Sequence, residues 1–312
     1  MAGGDAGYPD NVLPYPDQAL FLALRGAGQE AVMQALWIYD HPIDLEGVKR
    51  FHRNLFGTLL ARRIEPSPLP FGRHRWVSQP VTDSNFEIVA TPRPRGELYL
   101  WADEQVELPL DPESGPAWRL GVQPFTDGST VVSLVISHCV ADGAGSVLAC
   151  TQASTGSIRD LCYPPAGSRT RWRAVREDIR QLGRDLPDIG RTLRRAVKVA
   201  VRRRGELARP RTPGSGGAAD RGTVRMPSAS AFIDAAEWNA CAETLGGNSF
   251  SLVAGFAGKL AQRLNRVRGS DGMVTLKFPV SDRADLEDTG GNVVSIANVR
   301  FDPDGVISDL AG

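Results

Sequence analysis

The stretch STVVSLVISHCVADGAGS (residues 129–146) decides the fold. From Thr130 to Ser137 it is apolar at nearly every position, which is typical of a strand that is covered on both faces. It then turns at Asp142 and Gly143 and continues as a run of small residues with helical spacing. The stretch therefore predicts a buried strand, a short loop and a helix, with His138 at the end of the strand.

This junction suits acid–base chemistry at His138. Imidazole titrates near neutral pH, so a histidine held at the end of a strand can take a proton from a hydroxyl or amine during acyl transfer. Asp142 followed by Gly143 is typical of a tight turn, since glycine adopts backbone angles that other residues resist. A histidine followed four residues later by aspartate is weak evidence alone. The alternative interpretation is a core histidine beside a turn.

The preceding segments predict a mixed α/β domain. Residues 116–125 (PAWRLGVQPF) and 129–138 read as an antiparallel hairpin that turns at residues 126–128. We further expect a helix with Asp17 as its N-cap, a strand over Gln34–Tyr39, a helix from Leu45 whose stripe includes Leu59 and Leu60, a Pro-rich loop over 65–77 that returns to a strand, a strand over Asn85–Val89 and a helix over Gly96–Glu107.

Charge is balanced over the chain, with 36 basic and 36 acidic residues, but it is unevenly distributed. Between Ser168 and Arg211 lie 14 arginines and one lysine against five acids, so this segment carries about +10 and the remainder about −10. Apolar residues recur every three or four positions from Trp172 to Val197. This pattern predicts an amphipathic helix, with Pro187 as a kink or a break.

Several roles are open for the basic segment 169–204. It can be a crossover helix that packs its apolar stripe between two lobes and solvates its arginines. It can also lie on an anionic membrane or lipid surface. A third role is to attract the phosphates of coenzyme A or an acidic carrier protein. Nucleic acid is not expected, because aromatic residues are not interleaved with the basic ones.

The pattern of strands and helices starts again after a flexible linker at Pro210–Gly222. We expect strands at Ser228–Ile233, Met273–Phe278 and Val293–Phe301, and helices at Ala235–Leu245 and Ser249–Val267. The predicted organisation is an N-terminal lobe at 1–167, a basic crossover helix and linker at 168–222, and the beginning of a C-terminal lobe at 223–312. These few elements predict that the second lobe is incomplete.

Other classes of site find no support in the sequence. The four cysteines lie at 139, 150, 162 and 241, without the spacing of a metal site, and are typical of free thiols in a reducing cytoplasm. The chain has no secretory signal pattern, and its longest apolar run is too short to cross a bilayer. There is no glycine-rich phosphate loop and no nucleophile elbow. We therefore expect a cytoplasmic location, with membrane association as an alternative, and no metal.

The motif and its neighbours resemble the HHxxxDG acyltransferase superfamily, which includes chloramphenicol acetyltransferase and peptide-synthetase condensation domains. Within it, the sequence is most similar to the bacterial wax ester synthase/diacylglycerol acyltransferase group. The matching pieces occur in the family's order: DQALFLAL (17–24), DPESGPAWRL (111–120), SHCVADGAGS (137–146), SLVAGFAGKL (251–260), and PVSDR (279–283) followed by Gly291-Asn292.

The resemblance implies a two-lobed chloramphenicol acetyltransferase-like α/β fold, with the motif on a tunnel at the junction of the lobes. It implies that His138 removes the acceptor's proton as the acceptor attacks a thioester carbonyl. Asp142 would be structural and paired with Arg283, and Gly143 would let the donor or oxyanion approach the backbone. Ser137 and Asn292 would support the site. Acyl-CoA would be the co-substrate and an alcohol the acceptor, with no redox cofactor.

The sequence departs from the family's pattern at two places. Ser137 stands where the family has its first histidine, and Ser249-Phe250 stand where the wax ester synthase group commonly has Asn-Asp. Our leading hypothesis is an O-acyltransferase that moves an acyl group from acyl-CoA to an alcohol, as wax ester synthases do. Two alternatives stay open: a condensation-type enzyme with a carrier-protein donor, and a catalytically inactive member that acts as a binding module.

Overall fold

We describe the protein from a computed structural model. The structure describes residues 11–28, 31–202, 229–285, 288–308 and 310. The chain divides into two compact units. The first is Met1–Val224 with Leu286–Asn292, and the second is Arg225–Asp285 with Val293–Gly312. The predicted linker at Pro210–Gly222 lies outside the described residues.

The first unit is a mixed sheet flanked by helices. Its strands are β1 (Val32–Tyr39), β2 (Arg62–Glu65), β3 (Arg75–Ser78), β4 (Phe86–Ile88), β5 (Trp118–Pro124) and β6 (Thr130–Ser137). Its helices are α1 (Tyr15–Ala27), α2 (Leu45–Leu55), α3 (Leu98–Glu107), α4 (Gly143–Thr155) and α5 (Arg171–Arg202). Four strands form one sheet in the order β1-β6-β5-β4, and β2 pairs with β3 separately.

The central strand β6 is antiparallel to both of its neighbours, with Ser137 opposite Val32 on one side and Ile136 opposite Trp118 on the other. All eight residues of β6 are buried, which confirms the prediction of a strand covered on both faces. Leu134 belongs to the larger core, which it shares with residues of α2 and α4, whereas Val131 packs with residues of α3. Alternate side chains of β6 thus bind two helical layers to one sheet.

Helix α2 ends earlier than its apolar spacing predicts. The backbone N–H groups of Phe56, Gly57 and Thr58 donate to carbonyls three residues back, and the Thr58 hydroxyl donates to the Leu55 carbonyl, so the chain turns out of the helix. Leu59 and Leu60 are nevertheless buried, in the turn that follows. The prediction that they extend the helical stripe was wrong, because a buried turn can continue an apolar pattern.

Helix α5 is continuous from Arg171 to Arg202, with Pro187 inside it, so the predicted break does not occur. No helix among the described residues is long and apolar enough to cross a membrane. Although α5 is long, it carries too many charges for that.

The second unit contains the helices α6 (Ala235–Thr244), α7 (Ser249–Arg263) and α8 (Pro303–Ser308) and the antiparallel strands β7 (Val274–Ser281) and β8 (Val294–Phe301). Asn248 begins α7 with a reciprocal capping box to Ser251. The strand predicted at Ser228–Ile233 is wrong where it can be checked: residues 229–233 are exposed and, within the described part of the chain, pair with no strand.

Candidate active site

His138 is the first residue after β6, and its backbone is fixed from three directions. The N–H of Ser137 donates to the Ala117 carbonyl, and the N–H of His138 donates to the Ala31 carbonyl, both at 2.8 Å. The Asn292 side-chain amide donates to the His138 carbonyl at 2.8 Å. The residue is partly buried, and its Nδ1 is enclosed without a hydrogen-bond partner in the described part of the chain. Nε2 is therefore the nitrogen that a substrate can reach.

Arg62 holds the loop that follows His138. This arginine has no exposed surface, and its guanidinium lies 4.1 Å from the ring centroid of Trp76. It donates to the Val140 carbonyl at 2.7 Å, to the Thr289 carbonyl, and to the Tyr163 hydroxyl at 3.2 Å. A buried charge with several carbonyl partners is costly to displace, so Arg62 fixes the loop. The sequence gives no sign of this role, because Arg62 reads as one more basic residue.

Asp17 and Asn292 form a second support below His138. The Asn292 amide that donates to His138 also donates to the Asp17 carboxylate, at 2.6 Å. Asp17 has no exposed surface, and burial raises the pKa of its carboxyl against the opposing effects of Asn292 and Arg62. The predicted N-cap role of Asp17 was wrong: Pro14 is the N-cap of α1, and Asp17 lies in the first turn. A signal was present, since Asp17, Phe21 and Leu24 share one face of the helix.

Gly291 completes this support. A side chain at this position would place its Cβ 2.6 to 2.8 Å from the carboxylate atoms of Asp17, so only glycine fits. Its carbonyl accepts the backbone N–H of Asp142 at 2.9 Å. The segment 288–292 thus connects α1 to both ends of the motif loop, which is the loop from His138 to Asp142. The resemblance points to Asn292 as a supporting residue, but not to a supporting role for Gly291 or to the partners of either residue.

Asp142 caps helix α4. Its carboxylate accepts the N–H of Gly145 at 2.7 Å, and the residue is 1% exposed. A capping carboxylate stabilises a helix N-terminus by about 1 kcal/mol. Arg283 belongs to the second unit. Its pairing with Asp142 stays a prediction.

Gly143 is the first residue of α4, and the reason for its glycine differs from the one that the turn pattern predicts. Its φ is not in the left-handed region, so the expectation of unusual backbone angles was wrong. No heavy atom lies within 4 Å of the position that a Cβ would take. The glycine therefore leaves open space where the helix begins, and a helix N-terminus favours negative charge.

Ser137 is fully buried, and its hydroxyl accepts the N–H of Cys139 at 3.4 Å. It lies in the core at the end of β6, so a larger side chain there would displace its neighbours. The three other histidines do not join the site. His52 and His74 are buried and burial lowers the pKa of both, whereas His41 is exposed.

A groove of about 660 Å³ begins at Gly143 and runs between α4 and residues 33–37 of β1. Ser146 and Cys150 line it. Burial raises the pKa of the Cys150 thiol to about 11, so this cysteine is protonated at neutral pH and is a poor nucleophile. Within the described residues no three His, Cys, Asp or Glu side chains are grouped as metal ligands.

Comparison with solved structures identifies the fold. The first condensation domain of the CDA synthetase matches with a TM-score of 0.58 and 16% identity, over 97% of this chain and 72% of that one. The first condensation domain of the calcium-dependent antibiotic synthetase, in complex with substrate analogue 2a, gives 0.59 and 18%, over 97% and 73%. The X-domain from teicoplanin biosynthesis gives 0.50 and 15%, over 99% and 71%.

No protein-family model matches the sequence, and the search of curated proteins found no match. Two of these neighbours are condensation domains and the third is an X-domain, and none of the three is a wax ester synthase. The chain therefore has the mixed α/β, chloramphenicol acetyltransferase-like fold of these condensation domains.

Proposed function

We propose that the protein is a condensation-type acyltransferase that moves an acyl group from a carrier-bound thioester to a hydroxyl or amine, with His138 as general base. One observation carries the proposal. The backbone of His138 is fixed by Ala31 and Asn292, while the residue stays partly accessible beside the open N-terminus of α4. A purely structural histidine would be expected to have both ring nitrogens hydrogen-bonded or enclosed.

In the proposed reaction, Nε2 of His138 takes the proton of the acceptor while the acceptor's oxygen or nitrogen bonds to the thioester carbon. The carbonyl oxygen becomes negative, and the first turn of α4 beside Gly143 favours that charge. When the carbon–sulfur bond breaks, the same proton passes from the imidazolium to the leaving thiolate. His138 is neutral again at the end of the cycle. Arg62, Asp17 and Asn292 act as positioning residues.

The donor is the first point to test. The same acyl group is offered on a carrier protein and on coenzyme A, with an alcohol and an amine as acceptors, and product is measured by mass spectrometry. We expect the carrier-bound donor to be preferred.

His138→Ala should lower turnover by about 10²–10⁴-fold. His41→Ala, which changes an exposed histidine, is the matched control and should leave turnover unchanged.

An acyl-CoA-dependent alcohol acyltransferase is the second candidate, because two pieces of sequence that resemble the wax ester synthase group meet at this site. Asp17 comes from the first piece and Asn292 from the last, and their hydrogen bond supports His138. Preference for acyl-CoA over the carrier would select this candidate. Binding of either donor without turnover, in a protein with an intact melting transition, would refute both and leave a binding module.

A further inference from the structure

Helix α5 is attached to the first unit by its polar face. Asp178 is 1% exposed; its carboxylate pairs with Arg75 at 3.3 Å and Arg169 at 3.2 Å, and accepts the Ser67 hydroxyl at 2.5 Å. Two turns further along, Asp185 pairs with Arg73 at 3.2 Å. A surface helix ordinarily buries its apolar stripe and exposes its charges. Here the attachment includes these buried ion pairs, together with the buried Ala174 and the partly buried Val175 and Leu182.

Much of the apolar stripe of α5 is nevertheless exposed. Its exposed members and their exposed fractions are Trp172 (85%), Ile179 (55%), Leu186 (59%), Ile189 (42%), Val197 (54%) and Val201 (55%). They recur every three to eight positions on one side of the helix, over a length of about 44 Å at 1.5 Å per residue. Nearly the whole length of the helix thus presents apolar surface to the surroundings.

The exposed charge beside this stripe is positive. Residues 171–202 contain ten basic and four acidic side chains. Asp178 and Asp185 are used in the attachment, and the other two acids, Glu177 and Asp188, pair with Arg173 and Arg191 on the helix itself. In the first half of the helix the exposed arginines are Arg171, Arg173, Arg176, Arg180 and Arg184.

We propose that α5 lies in the interface of an anionic membrane, with its stripe inserted among acyl chains and its arginines on lipid phosphates. A long amphipathic helix with an apolar stripe, a basic flank and an exposed tryptophan is the type that binds such surfaces. An acidic carrier protein would be attracted by the same charges, but charge attraction alone leaves 44 Å of apolar stripe uncovered. This surface would act independently of the chemistry at His138.

The experiment measures partition of the whole chain onto vesicles by co-sedimentation. Vesicles of phosphatidylcholine with phosphatidylglycerol are compared with phosphatidylcholine alone, at low and high salt. We expect binding to the anionic vesicles only, weakened by salt but not abolished. The double variant I179S/L186S keeps every charge and should weaken binding about tenfold or more, because two inserted side chains are lost.

A matched control is the double variant L22S/L100S, whose residues are 48% and 46% exposed on α1 and α3. It should bind vesicles like the parent chain. Melting temperatures of both variants should equal that of the parent, since exposed side chains are replaced. Equal binding by I179S/L186S and the parent would overturn the proposal. So would failure to bind anionic vesicles, with or without capture of an acidic carrier protein.

Discussion

Strand β6 and helix α5 both show regular apolar patterns, yet the strand buries its apolar side chains and the helix leaves most of its large ones exposed. Every side chain of β6 is buried, and its pattern predicts its surroundings correctly. In α5 six of the large apolar residues are exposed, whereas Asp178 is buried. Periodicity therefore identifies an amphipathic helix without deciding which face packs on the protein. Ion pairs to Arg73, Arg75 and Arg169 decide it here.

The largest effect should come from removing the ionic attachment. Asp178→Ala leaves Arg75 and Arg169 without their shared carboxylate, in a place where each side chain is only 10–12% exposed. Breaking a buried ion pair in this way costs about 3–5 kcal/mol of unfolding free energy. Urea denaturation measures it. Asp188→Ala, on the same helix but exposed, should change little, and equal losses for the two variants would show that the attachment is not ionic.

The second effect compares one leucine from each pattern. Leu134 in β6 has no exposed surface, so Leu134→Ala should cost about 2–5 kcal/mol. Leu186 in α5 is 59% exposed, so Leu186→Ala should cost about 0.5 kcal/mol or less. Denaturation of both variants under one condition gives the difference directly. A large loss for Leu186→Ala would mean that the stripe packs against the protein.

The third effect concerns the support of the motif loop. In Gly291→Ala the new Cβ would lie 2.6 Å from an oxygen of Asp17, and such crowding costs about 1–3 kcal/mol. Asn292 would move with it, so we expect turnover to fall while the concentration for half-maximal rate changes little. Gly26→Ala, where no atom is within 4 Å, is the control. Unchanged turnover in Gly291→Ala would exclude a positioning role for this segment.

The junction of β6 with α4 could be predicted because local sequence determines it: an apolar run, a turn and small residues follow one another. The supports of that junction could not. Arg62 donates to the Val140 carbonyl and Asn292 donates to the His138 carbonyl, each from a position more than 70 residues away in the sequence. No local pattern encodes contacts over such distances. A buried, partnered role for Asp17 could have been predicted from the sequence, because an acid on the apolar face of a helix needs a buried partner.

The smallest effect is expected when Asp17 loses its ionisable group but keeps its shape, and it is a change in how stability depends on pH. Burial raises the pKa of this carboxyl above its ordinary 3.8, so the unfolded chain ionises first as pH rises. The contribution of Asp17 to stability is therefore complete below that value and is lost as pH rises through the folded-state pKa. Asp17→Asn keeps an oxygen for the Asn292 amide and cannot ionise, so its stability relative to the parent chain should increase between pH 4 and pH 7. Urea midpoints across this range measure the difference. A constant difference would mean that Asp17 ionises equally in both states and that burial does not raise the pKa of its carboxyl.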